Sequence, residues 1–323
     1  MVEKVEPDPW NLSVNTVVGK QSDVYDYLLC LPVTGKHFLL SGGAWTEAVL
    51  KGGLIMKKVL TIAGSDCSGG AGIQADLKTF SAHGVYGMSV VVSVVAENTC
   101  RVIDIQDIRP DIIEKQMEAV FEDIEVDAVK IGMLSGKECM RAVSGRLRAY
   151  MPENVVIDPV MLAKGGHALM KENALEFFIK ELIPLAYILT PNIPEAEALA
   201  GMKISSEEDL KKAAEIIHKM GAQKVLIKGG HREGAAEDVL FDGNAYHSFT
   251  TRRIPTRNTH GTGCTLSSAI ASNLALGMDC RLAVEKAKEY VTMAIEHSLE
   301  IGKGHGPTNH FYKLYKEGLV PYV

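Results

Sequence analysis

From residue 56 onward the chain alternates between short apolar runs and longer stretches in which apolar residues return every three or four positions. The first kind predicts strands and the second amphipathic helices. Val59 to Ala63 is a short apolar run, Gly72 to Ala82 sets Ile73, Leu77 and Phe80 at helical spacing, and Met88 to Ala96 is a Val-rich run suited to burial on both sheet faces. The rhythm repeats. Pro110 opens a helix carrying Ile113, Met117, Val120 and Phe121 on one side, Ala128 to Ile131 is a strand, and Gly136 to Ala149 is helical. Val155 to Ile157, Ile188 to Leu189 and Val225 to Ile227 are further strand cores. A helix separates the first two, and another spans Ser206 to Met220, with Ser206 as its cap and Gly221 past its end. Asp242-Gly243, between Val239-Leu240-Phe241 and Ala245 to Phe249, signals a hairpin. This order predicts an α/β domain with a mostly parallel central sheet, helices on both faces and a late antiparallel hairpin.

Residues 1–55 break the pattern. Their apolar patches, Tyr25 to Leu31 and Phe38 to Leu40, sustain no period, and a poorly structured extension is expected there. Lys51-Gly52-Gly53 stands two residues before Met56 and can be encoded by a purine-rich ribosome-binding sequence, so a second expectation is that Met56 is the true start and residues 1–55 are a translated upstream region. Residues 56–323 then form the working domain.

Composition narrows the class. With 323 residues, 46% of them hydrophobic and 23% charged, the chain can bury a large core. A net charge of −6 argues against coating nucleic acid or an acidic membrane. The six cysteines show neither CxxC pairing nor zinc spacing, and no apolar run reaches the ~18 residues that span a bilayer. A soluble cytoplasmic protein acting on a small molecule is expected.

In such sheets ligands sit beyond the carboxyl ends of the strands. Polar and glycine residues recur there: Gly64 to Gly72, Glu97-Asn98-Thr99, Gly132-Met133, Asp158 to Gly166, Thr190 to Glu195, and Lys228 to His231. The most telling stretch is Asn258-Thr259-His260-Gly261-Thr262-Gly263-Cys264, followed by a helix-compatible run of small residues. Free N–H groups of a first helical turn, opened by Gly261 and Gly263, make a phosphate cradle. Cys264 would lie in that turn, where the helix dipole lowers a thiol pKa. A base beside an anion hole suits phosphoryl transfer to an alcohol.

Two familiar motifs fail. Gly64 and Gly69 have P-loop spacing, but Gly70 and Ala71 stand where Lys and Ser or Thr belong. Gly70 to Ala75 matches GxGxxA, yet Gly64 to Gly69 intervene where that fingerprint needs its first glycine directly after the strand, so an NAD-dependent oxidoreductase is a minor alternative.

The string TIAGSDCSGGAGIQADLKTF (Thr61 to Phe80), with KIGML, IDPVMLAKGG, TPNIPEAEAL, IKGGH, NTHGTGC and the terminal GKGHGP, resembles the bacterial hydroxymethylpyrimidine/phosphomethylpyrimidine kinases of thiamin biosynthesis, in the ribokinase superfamily, over residues 57–311. The resemblance implies a ribokinase-like fold and two successive phosphorylations of 4-amino-5-hydroxymethyl-2-methylpyrimidine by ATP and Mg²⁺, in a homodimer. It sets Cys264 as the base, where many superfamily members carry Asp, and gives the Gly261, Thr262, Gly263 and Cys264 backbone the developing charge. Asn192 and Glu195 match the superfamily NxxE pattern, with Glu195 orienting Mg²⁺ through water and Asn192 either near ATP or a plain helix cap. Lys228 and Lys288 match lysines near the nucleotide phosphates; Lys164 and Asp158 are weaker candidates. Gly64 and Asp76 match the substrate side, and none of the histidines is given a catalytic role.

Glu97 departs from the best-known members, which carry Gln there. An aminopyrimidine pairs an amino donor with a ring-nitrogen acceptor, which a Gln amide matches; a carboxyl matches both only when protonated. Glu97 is therefore expected to read the pyrimidine through a shared proton. Alternatives are a pyridoxal or pyridoxine kinase and a non-catalytic pyrimidine-phosphate sensor, against which the joint presence of Cys264, Asn192 and Glu195 argues.

Overall fold

The computed structural model describes residues 18–21, 24–29, 38–39, 56–162, 166, 169–171, 174–230 and 236–317. The chain divides into two compact units, Met1–Ile55 and Met56–Val323. In the first, β1 (Val18–Gln21), β2 (Val24–Leu29) and β3 (Phe38–Leu39) form an antiparallel sheet in that order, so the two apolar patches of this region lie in β2 and β3.

The second unit is built on nine strands. They are β4 (Lys58–Gly64), β5 (Tyr86–Glu97), β6 (Val102–Asp107), β7 (Ala128–Ile131), β8 (Val155–Ile157), β9 (Ile188–Leu189), β10 (Val225–Ile227), β11 (Ala236–Phe241) and β12 (Tyr246–Thr251). Their order is β12-β11-β10-β9-β8-β7-β4-β5-β6. Pairing is parallel from β5 through β4 and β7 to β10, and antiparallel at β10–β11–β12 and at β5–β6. The late hairpin and the parallel centre match the sequence pattern. The β6 edge strand was not expected: Val102–Asp107 is largely exposed, and Asp104 and Gln106 break up its apolar residues, so it carries no continuous apolar run to announce it.

Helices cover both faces. Pro110–Phe121 (α1), Lys137–Tyr150 (α2), Leu175–Glu181 (α3), Ile193–Ala200 (α4) and Glu207–Lys219 (α5) pack on the face of Leu60, Ile62, Val129, Ile131 and Ile157. On the other face, Gly72–Ala82, Thr262–Ala275 (α6) and Cys280–Glu296 (α7) cover Val59, Ala128, Val156, Ile188 and Leu226. Among the described residues no helix is long and apolar enough to cross a membrane.

Strand side chains alternate between faces, so the residue two past each member of that second row returns to the same face. Those residues are Thr61, Lys130, Asp158, Thr190 and Lys228. All five are polar, and Thr61, Lys130 and Thr190 are completely buried. A polar row therefore runs across the carboxyl end of the parallel sheet, under the start of α6.

Candidate active site

The first turn of α6 is shaped by two glycines. Gly261 caps the helix in the left-handed region at φ 78°, and a side chain there would overlap the carbonyl of Gly70. A Cβ on Gly70 would in turn strike the His260 ring, so the first glycine loop and the helix start are packed backbone to backbone. A Cβ on Gly263 would come 3.2 Å from Asp158 Oδ2 and 3.5 Å from Lys228 Nζ. The helix start thus meets the polar row with only hydrogen between them. Thr262 Oγ1 donates back to Thr259 O at 2.8 Å, which leaves the cradle to the backbone N–H groups.

Cys264 lies in this turn, partly exposed. Gly72, the first residue of the Gly72–Ala82 helix, donates its N–H to the thiol, so two helix starts converge on one sulfur. The expected lowering of the thiol pKa is nonetheless reversed. Burial pushes it up to about 11; the Lys130 ammonium opposes, the Asp76 and Asp158 carboxylates add to the rise, and the Gly72 N–H lowers it. Burial first, and then the two carboxylates, outweigh the Lys130 charge and the Gly72 N–H.

Asp158 is the hub of the polar row rather than a marginal turn residue. Its Oδ1 accepts from Lys228 Nζ at 2.6 Å and from Thr190 Oγ1 at 3.3 Å. Burial lowers the pKa of Lys228, but Asp158 and Glu195 raise it further, and the net direction is upward. Asn192 and Glu195 form a reciprocal capping box: Glu195 N donates to Asn192 Oδ1 at 2.9 Å and Asn192 N to Glu195 Oε2 at 2.8 Å. Burial raises the Glu195 pKa; Lys228 opposes and Asp158 adds. Lys288 is placed elsewhere. Its Nζ lies 2.6 Å from Asp238 Oδ2, while Asp238 Oδ1 accepts from Gly229 N at 2.9 Å, so Lys288 props the turn after Lys228. Lys164 falls outside the described residues.

On the substrate side, Asp76 and Gly64 both lie in packed surroundings. Asp76 has no exposed surface: Lys130 donates to both its oxygens at 2.9 Å, Thr61 at 2.6 Å and Ser268 at 2.7 Å. These four bonds tie β4, β7, α6 and the Gly72–Ala82 helix together at one carboxylate. A Cβ on Gly64 would lie 3.1 Å from Met133 Sδ and 3.6 Å from Val95 Cγ2, so glycine leaves room for both side chains at the end of β4.

Glu97 does stand at the rim. One of its carboxylate oxygens, one of Asp66 and a ring nitrogen of His260 all lie within 4.8 Å of one another. Burial, then the Asp66 charge, pushes the Glu97 carboxyl up to about 7, with His260 opposing. Asp66 accepts from the backbone N–H groups of Ser68, Gly70 and Ala71 at 2.7, 3.0 and 2.7 Å, and its Oδ2 is 2.8 Å from His260 Nε2. Burial would raise Asp66, but the His260, Ser68 and Ala71 hydrogen bonds hold it well below the usual carboxylate range. His260, Asp66 and Lys130 were missed because each lies in a glycine-rich or apolar string that hides its partner. The available signal for Lys130 was its charge two positions past an apolar residue in a buried strand.

Fold and helix start together define a ribokinase-like small-molecule kinase. Residues 66–309 match the family described as phosphomethylpyrimidine kinase, and the chain belongs to it. It is 51% identical over 253 residues, 78% of the chain, to the thiamine biosynthesis bifunctional protein ThiED of Geobacter sulfurreducens, of which it spans 52%. It is 48% identical over 262 residues, 80% of the chain, to the hydroxymethylpyrimidine/phosphomethylpyrimidine kinase of Rhizobium meliloti, spanning 98% of that protein. The phosphomethylpyrimidine kinase structure from Clostridium difficile 630 is similar at 51% identity and TM-score 0.67, over 74% of this chain and 99% of that one. An ADP complex of Bacillus subtilis pyridoxal kinase is similar at 40% identity and TM-score 0.75, over 79% of this chain and 98% of that one.

Proposed function

We propose that residues 56–323 phosphorylate the hydroxymethyl group of 4-amino-5-hydroxymethyl-2-methylpyrimidine with ATP, and then phosphorylate the resulting monophosphate to the diphosphate. The observation that carries this is the glycine-opened start of α6 standing directly on the Asp158–Lys228 pair, with Glu97 at the rim of the same carboxyl edge. Greater identity to pyrimidine kinases than to pyridoxal kinase favours the pyrimidine over pyridoxal.

The Gly263 and Cys264 N–H groups face the transferring phosphoryl group, and Lys228 lies under them as a fixed positive charge. In the first round the substrate hydroxyl attacks phosphorus and gives its proton to Cys264, which acts through the minor thiolate fraction of a thiol pushed up to about 11; the new O–P bond replaces the β,γ bridge and ADP leaves. In the second round the monoester oxygen is already anionic, so Cys264 has little to do. Glu97, protonated below about pH 7, donates to the ring nitrogen while its carbonyl oxygen accepts from the amino group. Glu195 fits a water-mediated hold on Mg²⁺, because its buried carboxyl is pushed up beside Asp158 and an arriving cation would return it to carboxylate. Bound Mg²⁺ neutralises phosphate charge. A homodimer, on the resemblance, and a cytoplasmic location, on the cysteine pattern, complete the proposal.

The test is parallel steady-state kinetics on the purified chain with MgATP and either the pyrimidine alcohol or pyridoxal. A higher kcat/KM for the pyrimidine supports the proposal; a higher value for pyridoxal transfers the substrate assignment.

A further inference from the structure

None of the steps above uses Lys130. It lies in β7 with its side chain completely inaccessible, and among the described residues it hydrogen-bonds Asp76, at 2.9 Å to each oxygen. Thr61 and Ser268 take the remaining acceptor positions of the carboxylate. Burying such a pair adds little stability compared with apolar packing. Its neighbours suggest a different use. Ser268 is four residues past Cys264 on α6, and side chains so spaced share a helix face about 5–6 Å apart. The Asp76 oxygen that binds Ser268 also binds Lys130. The ammonium therefore sits under the first turn of α6, one turn below the sulfur.

We propose that Lys130 is a positioning residue for phosphoryl transfer: its ammonium, held in place by Asp76, stabilises the Cys264 thiolate that accepts the substrate proton. The proposal rests on Cys264 as the base. The proton passes from the substrate hydroxyl to Sγ as the O–P bond forms and the bond to ADP breaks, so Lys130 keeps its own proton throughout. The charged and polar groups facing Cys264 are Lys130 of β7, Asp76 of the Gly72–Ala82 helix, Asp158 after β8, Lys228 after β10 and the Gly72 N–H. Burial is the largest influence on the thiol; Lys130 is the next and opposes it, ahead of the two carboxylates. Lys130 and Asp76 thus act on the sulfur with opposite signs.

Opposite signs make the test specific. Iodoacetamide alkylation of Cys264 in the full chain, read near pH 9 by peptide mass spectrometry to separate it from exposed Cys67 and Cys100, follows the thiolate fraction without requiring kinase activity. Lys130→Met should slow alkylation about tenfold, the effect of one pKa unit, and Asp76→Asn should speed it severalfold. Unchanged rates in folded variants, or shifts in the same direction, overturn the proposal. Should Lys130→Met fail to fold, the neutral pair Lys130→Met/Asp76→Asn takes its place: slower alkylation than in Asp76→Asn alone supports the proposal, and equal rates overturn it. Failure of the kinase assignment would show separately, as wild-type protein that makes no phosphorylated product while the alkylation shifts persist.

Discussion

His260 Nε2 lies 2.8 Å from Asp66 Oδ2, joining the residue before the anion-hole glycine to the loop after β4. The contact spans 194 positions of sequence and locks two glycine-rich segments that have little side-chain surface of their own. Asp66 also satisfies three backbone N–H groups of its loop. Replacing it by Ala should destabilise the protein by about 2–3 kcal/mol, because buried donors are left unpaired. The pH dependence has a definite sign. A carboxyl held below its ordinary pKa near ~3.9 stabilises the fold above that pH, and the benefit fades as pH falls toward the folded value. Denaturant melts of wild type and Asp66→Asn should therefore differ most at neutral pH and converge in acid; a gap that widens in acid would contradict the assignment.

Cys264→Ala should slow the first phosphorylation by about 10²-fold or more, in the range of a lost general base, and the second much less. Single-turnover product analysis from the alcohol and from the monophosphate separates the two steps. Equal losses would remove Cys264 from the role of base.

Burial and then the Asp66 charge push the Glu97 carboxyl up to about 7. Its neutral form offers both a donor and an acceptor to the aminopyrimidine, whereas its anion faces the ring lone pair. KM for the pyrimidine alcohol should rise as pH climbs past about 7, and Glu97→Gln should retain activity with a flat KM profile. A flat wild-type profile, or an inactive Gln variant, contradicts this.

Gly261→Ala introduces a Cβ at φ 78° against the Gly70 carbonyl. Left-handed strain and overlap together should cost about 2–4 kcal/mol. Thermal unfolding should fall accordingly, and phosphorylation should fail even below the melting point because the cradle is displaced. Alanine at Gly277, which is also left-handed but has open space around it, should cost only the strain.

Much of the fold was legible because parallel strands are continuous apolar runs and their helices are periodic: Ala128 to Ile131 and Gly72 to Ala82 are strand and helix as the pattern predicts. β6 was not, since the Ile103-Asp104-Ile105-Gln106 alternation of this exposed edge strand is too short to stand out and forms no continuous apolar run. At the site, the glycines and Cys264 announce a cradle, but charge balance does not follow from chain order. Lys130 and Asp76 are 54 residues apart and neutralise each other beneath a sulfur on a third segment. The dipole argument for a lowered Cys264 pKa counted the helix alone and left out burial, the largest influence, together with the Lys130, Asp76 and Asp158 charges around the sulfur.

The central claim is two successive phosphoryl transfers to one pyrimidine at the start of α6. Time-resolved mass spectrometry of the products formed by the full chain from MgATP and 4-amino-5-hydroxymethyl-2-methylpyrimidine tests it most directly, with a chain starting at Met56 run beside it. The account predicts that the monophosphate rises first and the diphosphate follows, in both chains. A reaction that stops at the monophosphate, or that yields product only from pyridoxal, would contradict it.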